Sequence, residues 1–348
     1  MTALHAPVDD QTRRDEGLAQ EILRHHSKSF ALAGRLLPAR CRADAATLYA
    51  WCRRCDDAVD QPPDEEGRAA AVVRLREELE QVYAPAGGAT GLDPVLRGFQ
   101  GVVRRHGIPR RWPEDLIEGL AMDVGAVRYE TVDALLLYAY RAAGVVGLMM
   151  AKIMGARGAE ALRRAVDLGI GMQLTNVCRD VAEDAARGRV YLPADLLTAR
   201  AAEPEAPAAV EEATSRAVKA LLALAEAFYA SGRAGLPFLP VRCAIGIHAA
   251  ALIYREIGRE IARRGFDVRT RAVVSRGRKL WLALRAALVT VPMVLVARRW
   301  SLGSTPEGGA RAEDGSRGVA WSGVARRSGR AAPPPLSFAL PVGGETRP

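Results

Sequence analysis

Apolar residues recur along most of the chain at the three- and four-residue spacing of helices that bury one face. In the segment 42–60, for example, Leu48, Cys52, Cys55 and Val59 form a single apolar row. No long stretch alternates with the period of two that a half-buried strand requires. The sequence therefore predicts an all-α fold, with helices near 17–26, 42–60, 66–84, 92–106, 113–124, 131–155, 158–187, 208–231, 241–263 and 275–299.

The two ends of the chain lack this pattern. Residues 1–16 are polar and are predicted to form a loose segment, while 17–300 are predicted to form one helical domain. Residues 301–348 are rich in Gly, Pro, Ser and Arg, which predicts a disordered tail. The apolar run 286–297 contains Pro292 and is shorter than a membrane span, so we interpret it as a core or interfacial helix.

Charge and cysteine content narrow the class of protein. A formal net charge of +9 suits nucleic acid, an anionic membrane or a polyanionic small substrate. The arginines are mixed with acids along helical patterns and are not interleaved with aromatic residues, which argues against nucleic-acid binding. Five cysteines without a regular framework, and no apolar signal segment near the N-terminus, predict a cytoplasmic protein.

Polar residues share another face of the predicted helix 42–60. They follow the spacing i, i+4, i+7 and i+11, which places them in one row beside the apolar row: Tyr49, Arg53, Asp56 and Asp60. Two carboxylates beside a buried face are costly unless a cation accompanies them. The pattern therefore indicates a site for cations.

The predicted helix 158–187 repeats this design. Its polar row is Gln173, Asn176, Asp180 and Asp184, and an apolar row runs alongside. Carboxylate and amide oxygens are hard ligands that suit Mg²⁺ or Mn²⁺, which also bind substrate phosphates. A single Asp-x-x-x-Asp is usually a solvated helix face, but two copies, each flanked by arginine, favour a metal site.

Basic residues near these rows could contact phosphate oxygens. The candidates are His26, Lys28, Arg53 and Arg179. His26 and Lys28 have an equally good structural interpretation, because basic residues complement the dipole at a helix C-terminus. The Cys52-x-x-Cys55 pair lies on the apolar row without a second ligand pair, so we interpret it as core packing.

Several long motifs then resemble the squalene and phytoene synthase family. They are His26-Ser27-Lys28-Ser29-Phe30, the segment from Leu48 to Asp60, the segment from Gln173 to Asp184 with Gly188-Arg189-Val190-Tyr191-Leu192-Pro193, Tyr138 to Gly147, and Ile253-Tyr254-Arg255. The resemblance covers about 25–287. It implies the isoprenoid synthase fold, a single-domain helical bundle around a central cavity.

The resemblance also implies roles for individual residues. Mg²⁺ or Mn²⁺ would be bound by Asp56, Asp60, Asn176, Asp180 and Asp184. The substrate diphosphate would be bound by His26, Lys28, Ser29, Arg53 and Arg179. The catalytic residues that line the path of the carbocation would be Tyr49, Tyr138, Gln173 and Tyr254.

The implied enzyme is a prenyltransferase of carotenoid biosynthesis. It would join two geranylgeranyl diphosphates head to head through prephytoene diphosphate to give phytoene, without NADPH. Such an apolar product implies contact with a membrane surface, for which the basic helix near Arg276 to Trp300 is the candidate. Two alternatives stay open: a synthase of squalene type that uses farnesyl diphosphate, and a non-catalytic family member that acts as an assembly protein.

Overall fold

The computed structural model describes residues 10–85, 91–198 and 207–303. Within these ranges the chain is helical, and the only β-pairing is an isolated parallel bridge between Arg128 and Val190. The helices are α1 (Asp10–His26), α2 (Lys28–Gly34), α3 (Ala39–Asp60), α4 (Glu65–Tyr83), α5 (Pro94–His106), α6 (Arg111–Ala121), α7 (Val132–Ala139), α8 (Val145–Ile153), α9 (Ala159–Arg179), α10 (Val181–Ala186), α11 (Ala194–Thr198), α12 (Pro207–Ala234), α13 (Val241–Arg263) and α14 (Arg276–Gly303).

Two short elements complete the order. A π-helical turn, Tyr140–Gly144, joins α7 to α8 without a break, and a 3₁₀ turn, Leu236–Phe238, precedes α13. Because a π turn inserts an extra residue into the helical register, it turns the side chains that follow it onto another face. Ala142 and Ala143 of the turn itself line the apolar cavity described below.

Helix α9 is the central element of the bundle, and two glycines let its neighbour approach closely. A Cβ on Gly147 would lie 2.3 Å from the Ala165 carbonyl oxygen, and one on Gly169 would lie 2.4 Å from that of Ala143. Both contacts are with backbone, so only glycine permits this spacing between α9 and the helix formed by the π turn and α8. On its opposite side, α9 packs against α12, where Thr175 and Tyr229 are hydrogen bonded at 2.8 Å.

Helix α3 has the apolar row that the sequence predicts. Leu48, Cys55 and Val59 are buried, and Trp51 stacks on Phe99 of α5 with ring centroids 4.1 Å apart. Burial of these side chains leaves the polar row of α3 facing the cavity. The interpretation of Cys55 as a core residue is consistent with its complete burial.

The structure corrects several predicted boundaries. Helix α1 begins at Asp10, so the predicted loose segment 1–16 is too long; Asp15 of α1 is buried and accepts hydrogen bonds from Arg97. The predicted helix 158–187 is divided, because Asp180 leaves helical geometry with φ −102° and ψ 11°. Helices α2 and α11 were not predicted. Beyond 303 the predicted tail lies outside the described residues, which end there.

The chain divides into two compact units, residues 1–295 and 296–348. The first contains all the helices up to most of α14, together with every residue of the site described below. Of the second, only the last turns of α14 lie within the described ranges.

Candidate functional site

A polar cavity of about 890 Å³ lies between α3 and the junction of α9 with α10. Every predicted site residue lines it: His26, Lys28, Ser29, Tyr49, Arg53, Asp56, Asp60, Tyr138, Gln173, Asn176, Arg179, Asp180, Asp184 and Tyr254. The two acidic rows, which are more than 110 residues apart in sequence, therefore face the same space.

Helix α3 supplies one wall of the polar cavity. Burial and the negative charge of Asp60 raise the pKa of Asp56 to about 6. Asp60 is paired with Arg189, whose Nη2 donates to Oδ1 at 2.7 Å. Arg53 donates to Asp57 and lies 3.3 Å from Asp56. The wall thus carries carboxylates whose charge is only partly balanced by guanidinium groups.

The end of α9 and the start of α10 supply the facing wall. Asp180 accepts hydrogen bonds from Arg179 and forms an ion pair with Arg271 at 3.0 Å. Asp184 is on α10, and its backbone N–H donates to the Asp180 carbonyl at 2.8 Å. Burial and Asp180 raise the pKa of Asp184 to about 6. The bend at Asp180 means that the four predicted residues do not form one straight row, although all of them still face the cavity.

The donor atoms on these walls fit a divalent cation. Asn176 Oδ1 is buried without a hydrogen-bond partner among the described atoms, although its Nδ2 donates to Gln173. An unpartnered buried oxygen next to mutually repelling carboxylates is a suitable ligand set for Mg²⁺. Within the described ranges, however, no three His, Cys, Asp or Glu side chains stand close enough together to hold an ion by themselves. Substrate phosphate oxygens would have to complete the coordination.

The turn from α1 to α2 brings basic groups to the same cavity. Helix α1 ends at His26, and the Ser27 hydroxyl accepts a hydrogen bond from the Phe30 N–H at the start of α2. This turn places His26, Lys28 and Ser29 at the cavity wall. His26 therefore ends a helix and also lines the cavity, and its contact with phosphate stays a prediction.

An apolar cavity of about 330 Å³ opens from the polar one. Seven residues line both cavities and form the rim between them: Phe30, Tyr49, Cys52, Ala142, Gln173, Asn176 and Tyr254. At the rim the rings of Phe30 and Tyr254 stack 5.2 Å apart. From the rim the apolar cavity follows α9 from Asn176 to Ala161, which is about 22 Å at 1.5 Å per residue.

Sequence reasoning assigned no role to several residues that line the polar cavity. Arg189 and Tyr191 lie in a family motif but had no predicted role, and Arg271 lies outside every motif. Asp123 follows α6 and accepts hydrogen bonds from Tyr138 and Tyr191. All of these residues are on connecting segments, where no helical spacing marks a shared face.

The family model for squalene/phytoene synthase matches residues 23–278 of this chain. The chain belongs to the squalene and phytoene synthase family. It is 40% identical over 278 residues to a phytoene synthase of Rhodobacter capsulatus, and the aligned region covers 79% of this chain and 81% of that protein. It is 42% identical over 269 residues to a 15-cis-phytoene synthase of a Paracoccus species, and the aligned region covers 75% of this chain and 87% of that protein.

Solved structures agree with this assignment. A dehydrosqualene synthase in complex with ligand superposes with a TM-score of 0.68 at 28% identity, over 79% of this chain and 96% of that one. A squalene synthase from Alicyclobacillus acidocaldarius gives a TM-score of 0.64 at 26% identity, over 75% and 97%. The predicted family, all-α isoprenoid synthase fold and prenyltransferase class are confirmed.

Proposed function

We propose that this chain is a phytoene synthase that condenses two molecules of geranylgeranyl diphosphate. The observation that carries the proposal is the polar cavity with two facing acidic walls, which opens into a long apolar cavity. A diphosphate head and a prenyl tail need these two environments next to each other. Similarity to the phytoene synthases of several bacteria, at about 40% identity, supports the same function.

The length of the apolar cavity supports the longer substrate. An extended geranylgeranyl chain spans ~19 Å and a farnesyl chain ~14 Å, at about 1.25 Å of advance per carbon–carbon bond. The stretch of α9 that lines the cavity is about 22 Å long. A farnesyl chain would leave part of this cavity unfilled, with the loss of its apolar contacts.

Divalent cations would be held by Asp56 and Asp60 on one wall and by Asn176, Asp180 and Asp184 on the other. When bound, they would neutralise the diphosphate and make it a better leaving group. The protein's own cations have the same effect. Arg53, Arg179 and Arg271 are each within 4 Å of an acidic wall residue, so they could turn to the diphosphate oxygens when substrate binds.

The reaction then follows from where charge develops. The allylic C–O bond of one substrate breaks, its electron pair leaves with the diphosphate, and the double bond of the second substrate attacks the cation. Proton loss closes a cyclopropane, giving prephytoene diphosphate. Loss of its diphosphate, rearrangement and a second proton loss give phytoene without a reductant. The apolar cavity lined by Leu48, Val146 and Leu168 would exclude the water that quenches either cation.

The purified chain should be assayed with geranylgeranyl or farnesyl diphosphate and Mg²⁺, and the extracted hydrocarbon identified. We expect phytoene from the first substrate, loss of product with chelator, and loss of activity in Asp180→Asn by roughly 100-fold or more. Glu77→Gln is the matched control, because this exposed acid lies on α4 away from the site. Turnover of farnesyl diphosphate alone would favour a synthase of squalene type. No turnover of either would favour the assembly protein.

We further propose that α14 docks on a membrane surface, where so apolar a product would be released. Its stretch Arg276–Ala297 is long and apolar enough to span a bilayer by length and composition alone. One face of α14 is nevertheless fully buried, at Leu282, Ala286, Thr290 and Val294. Because Leu282 and Ala286 pack on α2 and α13, a spanning position would require α14 to leave the bundle. We therefore favour a position parallel to the membrane.

The outward face of α14 has the chemistry of an interfacial helix. Leu284 and Leu288 are 60% and 67% exposed, and Leu280 and Leu295 continue their row. The guanidinium groups of Arg278 and Arg285 lie 4.7 and 5.6 Å from the Trp281 ring. The sequence carries no acid between Asp267 and Glu307. An apolar row flanked by arginines suits anionic lipid.

Vesicle flotation tests this docking. We expect the wild-type protein to float with vesicles that contain anionic lipid, and the double variant Leu284→Gln/Leu288→Gln to stay in the soluble fraction. Val73→Gln is the control, because Val73 is a half-exposed apolar residue on α4. Equal flotation of the double variant and the wild type would refute the role of α14.

A further inference from the structure

A buried carboxylate in the wall of the polar cavity is hydrogen bonded to two tyrosines. Asp123 is 6% exposed, follows α6, and lines the cavity. Within the described ranges no lysine, arginine or histidine nitrogen lies within ion-pair distance of it. Its two oxygens instead accept hydrogen bonds from two tyrosines: Oδ2 from the Tyr138 hydroxyl at 3.1 Å, and Oδ1 from the Tyr191 hydroxyl at 2.7 Å.

These two tyrosines come from distant parts of the chain and are held at one place. Tyr138 is on α7, and Tyr191 follows α10. The Tyr191 segment is fixed on one side by the hydrogen bond from Val190 N–H to the Val127 carbonyl. The rings of Tyr138 and Tyr191 are 5.1 Å apart, and the Tyr129 ring packs against both at 5.5 and 6.0 Å. Asp123 joins the two segments through side-chain hydrogen bonds.

The hydrogen bonds to Asp123 determine which atoms of the two tyrosine hydroxyls can interact with a molecule in the cavity. The hydroxyl group of a tyrosine has one hydrogen, and in Tyr138 and Tyr191 that hydrogen is donated to Asp123. Each hydroxyl therefore presents only lone pairs to a molecule in the cavity. A phenol that donates to a carboxylate also has a more electron-rich ring, and such a ring attracts a cation more strongly.

We propose that Asp123 is a positioning residue that holds Tyr138 and Tyr191 as an electron-rich wall for the cationic stage of the reaction. This inference rests on the proposed function, in which a C–O bond breaks and its electron pair leaves with the diphosphate. The positive charge that remains on the prenyl carbons is then stabilised by oxygen lone pairs, by ring faces and by the anion behind them. Asp123 is assigned a positioning role because both of its oxygens accept hydrogen bonds from the two tyrosines.

A purely structural role for Asp123 makes a different prediction from a role in stabilising charge. Asp123→Asn keeps the size of the side chain and one acceptor oxygen, but it removes the negative charge. If Asp123 only held the loops together, the loss of activity would follow the loss of folding. If it acts through the tyrosines, kcat should fall while KM and the thermal midpoint stay near the wild-type values.

The test is steady-state turnover of geranylgeranyl diphosphate by the wild type, Asp123→Asn, Tyr191→Phe and the double variant. We expect kcat to fall roughly 10- to 100-fold in each single variant, with KM changed less than about twofold. The two effects should not multiply in the double variant, because both act on the same interaction, the hydrogen bond from Tyr191 to the charged Asp123 carboxylate. Tyr129→Phe is the matched control: its buried hydroxyl has no hydrogen-bond partner among the described atoms, and Tyr129 does not line the cavity.

A second readout is independent of folded yield. The share of turnover that ends as released cyclopropyl diphosphate, relative to hydrocarbon, should rise in Asp123→Asn, because the second ionisation loses the same wall. An unchanged kcat and product ratio in folded Asp123→Asn, or full multiplication of the two single effects, would overturn the inference. Failure of the wild type to turn over the substrate would instead refute the proposed function.

Discussion

Gly169→Ala tests whether the close approach between α9 and the π turn is required by the fold. The added Cβ would lie 2.4 Å from the Ala143 carbonyl oxygen, 2.8 Å from its carbon and 2.9 Å from Gly144 Cα. Because all three atoms are backbone, no rotamer change relieves the contact. Real Cβ atoms essentially never lie closer than 3.0 Å to such atoms. The two helical segments must therefore move apart by at least 0.6 Å to accept the alanine.

The expected magnitude follows from two opposing effects. Overpacking of a core costs about 1–3 kcal/mol, whereas replacing a helical glycine with alanine gains up to ~1 kcal/mol. Because the new atom meets rigid backbone, the overpacking cost should lie at the upper end of its range, which gives a net loss of about 2 kcal/mol. Gly17→Ala is the matched control: Gly17 is in α1 with no atom within 4 Å of its added Cβ, so it should gain stability.

Urea unfolding followed by far-ultraviolet circular dichroism measures both variants. With a slope of about 3 kcal/mol per molar, the midpoint of Gly169→Ala should fall by roughly 0.7 M, and that of Gly17→Ala should not fall. A midpoint for Gly169→Ala at or above the wild-type value would show that the helices are not held at this distance.

Two further predictions concern buried carboxylates and pH. Glu256 is almost fully buried, and the guanidinium groups of Arg278, Arg263 and Arg259 lower its pKa. The ionised Glu256 therefore stabilises the fold fully above its ordinary pKa of 4.5, and this stabilisation is lost as pH falls through the lowered value. Glu256→Gln should lower the free energy of unfolding by about 1–3 kcal/mol at pH 7 and should match the wild type in acid. Asp167 is fully buried with Oδ1 unpartnered, and burial raises its pKa to about 6. Because the ionised form is the unfavourable one, Asp167→Asn should melt no lower than the wild type at pH 8. Any advantage should shrink as the pH falls below about 6 and vanish below the ordinary pKa of 3.8.

The acidic walls could be predicted from the sequence because helical spacing is local. Asp56 and Asp60 occupy one face of α3 for the same reason that Leu48 and Val59 occupy another, and neither depends on the rest of the fold. Family motifs then indicated that this face meets Asp180. The structure places both in one cavity.

The rest of the site depends on tertiary structure. Arg189, Tyr191 and Asp123 are on segments without periodicity, and their meeting follows from the pairing of the chain near Val127 with that near Val190. The bend at Asp180 had no sequence signal, because no proline or glycine marks it. The sequence did not predict that α1 begins at Asp10, because the residues there are polar. Asp15 is buried by a long-range contact with Arg97, which no local pattern indicates.

The most direct test of the account is the position of the cations in a crystal grown with Mn²⁺ and a non-reacting thiolo analogue of geranylgeranyl diphosphate. Anomalous scattering should reveal manganese between the α3 wall and the α9–α10 wall, bridged by diphosphate, with the prenyl chain extending along α9. Manganese bound elsewhere, or a diphosphate held away from Asp56 and Asp180, would contradict it.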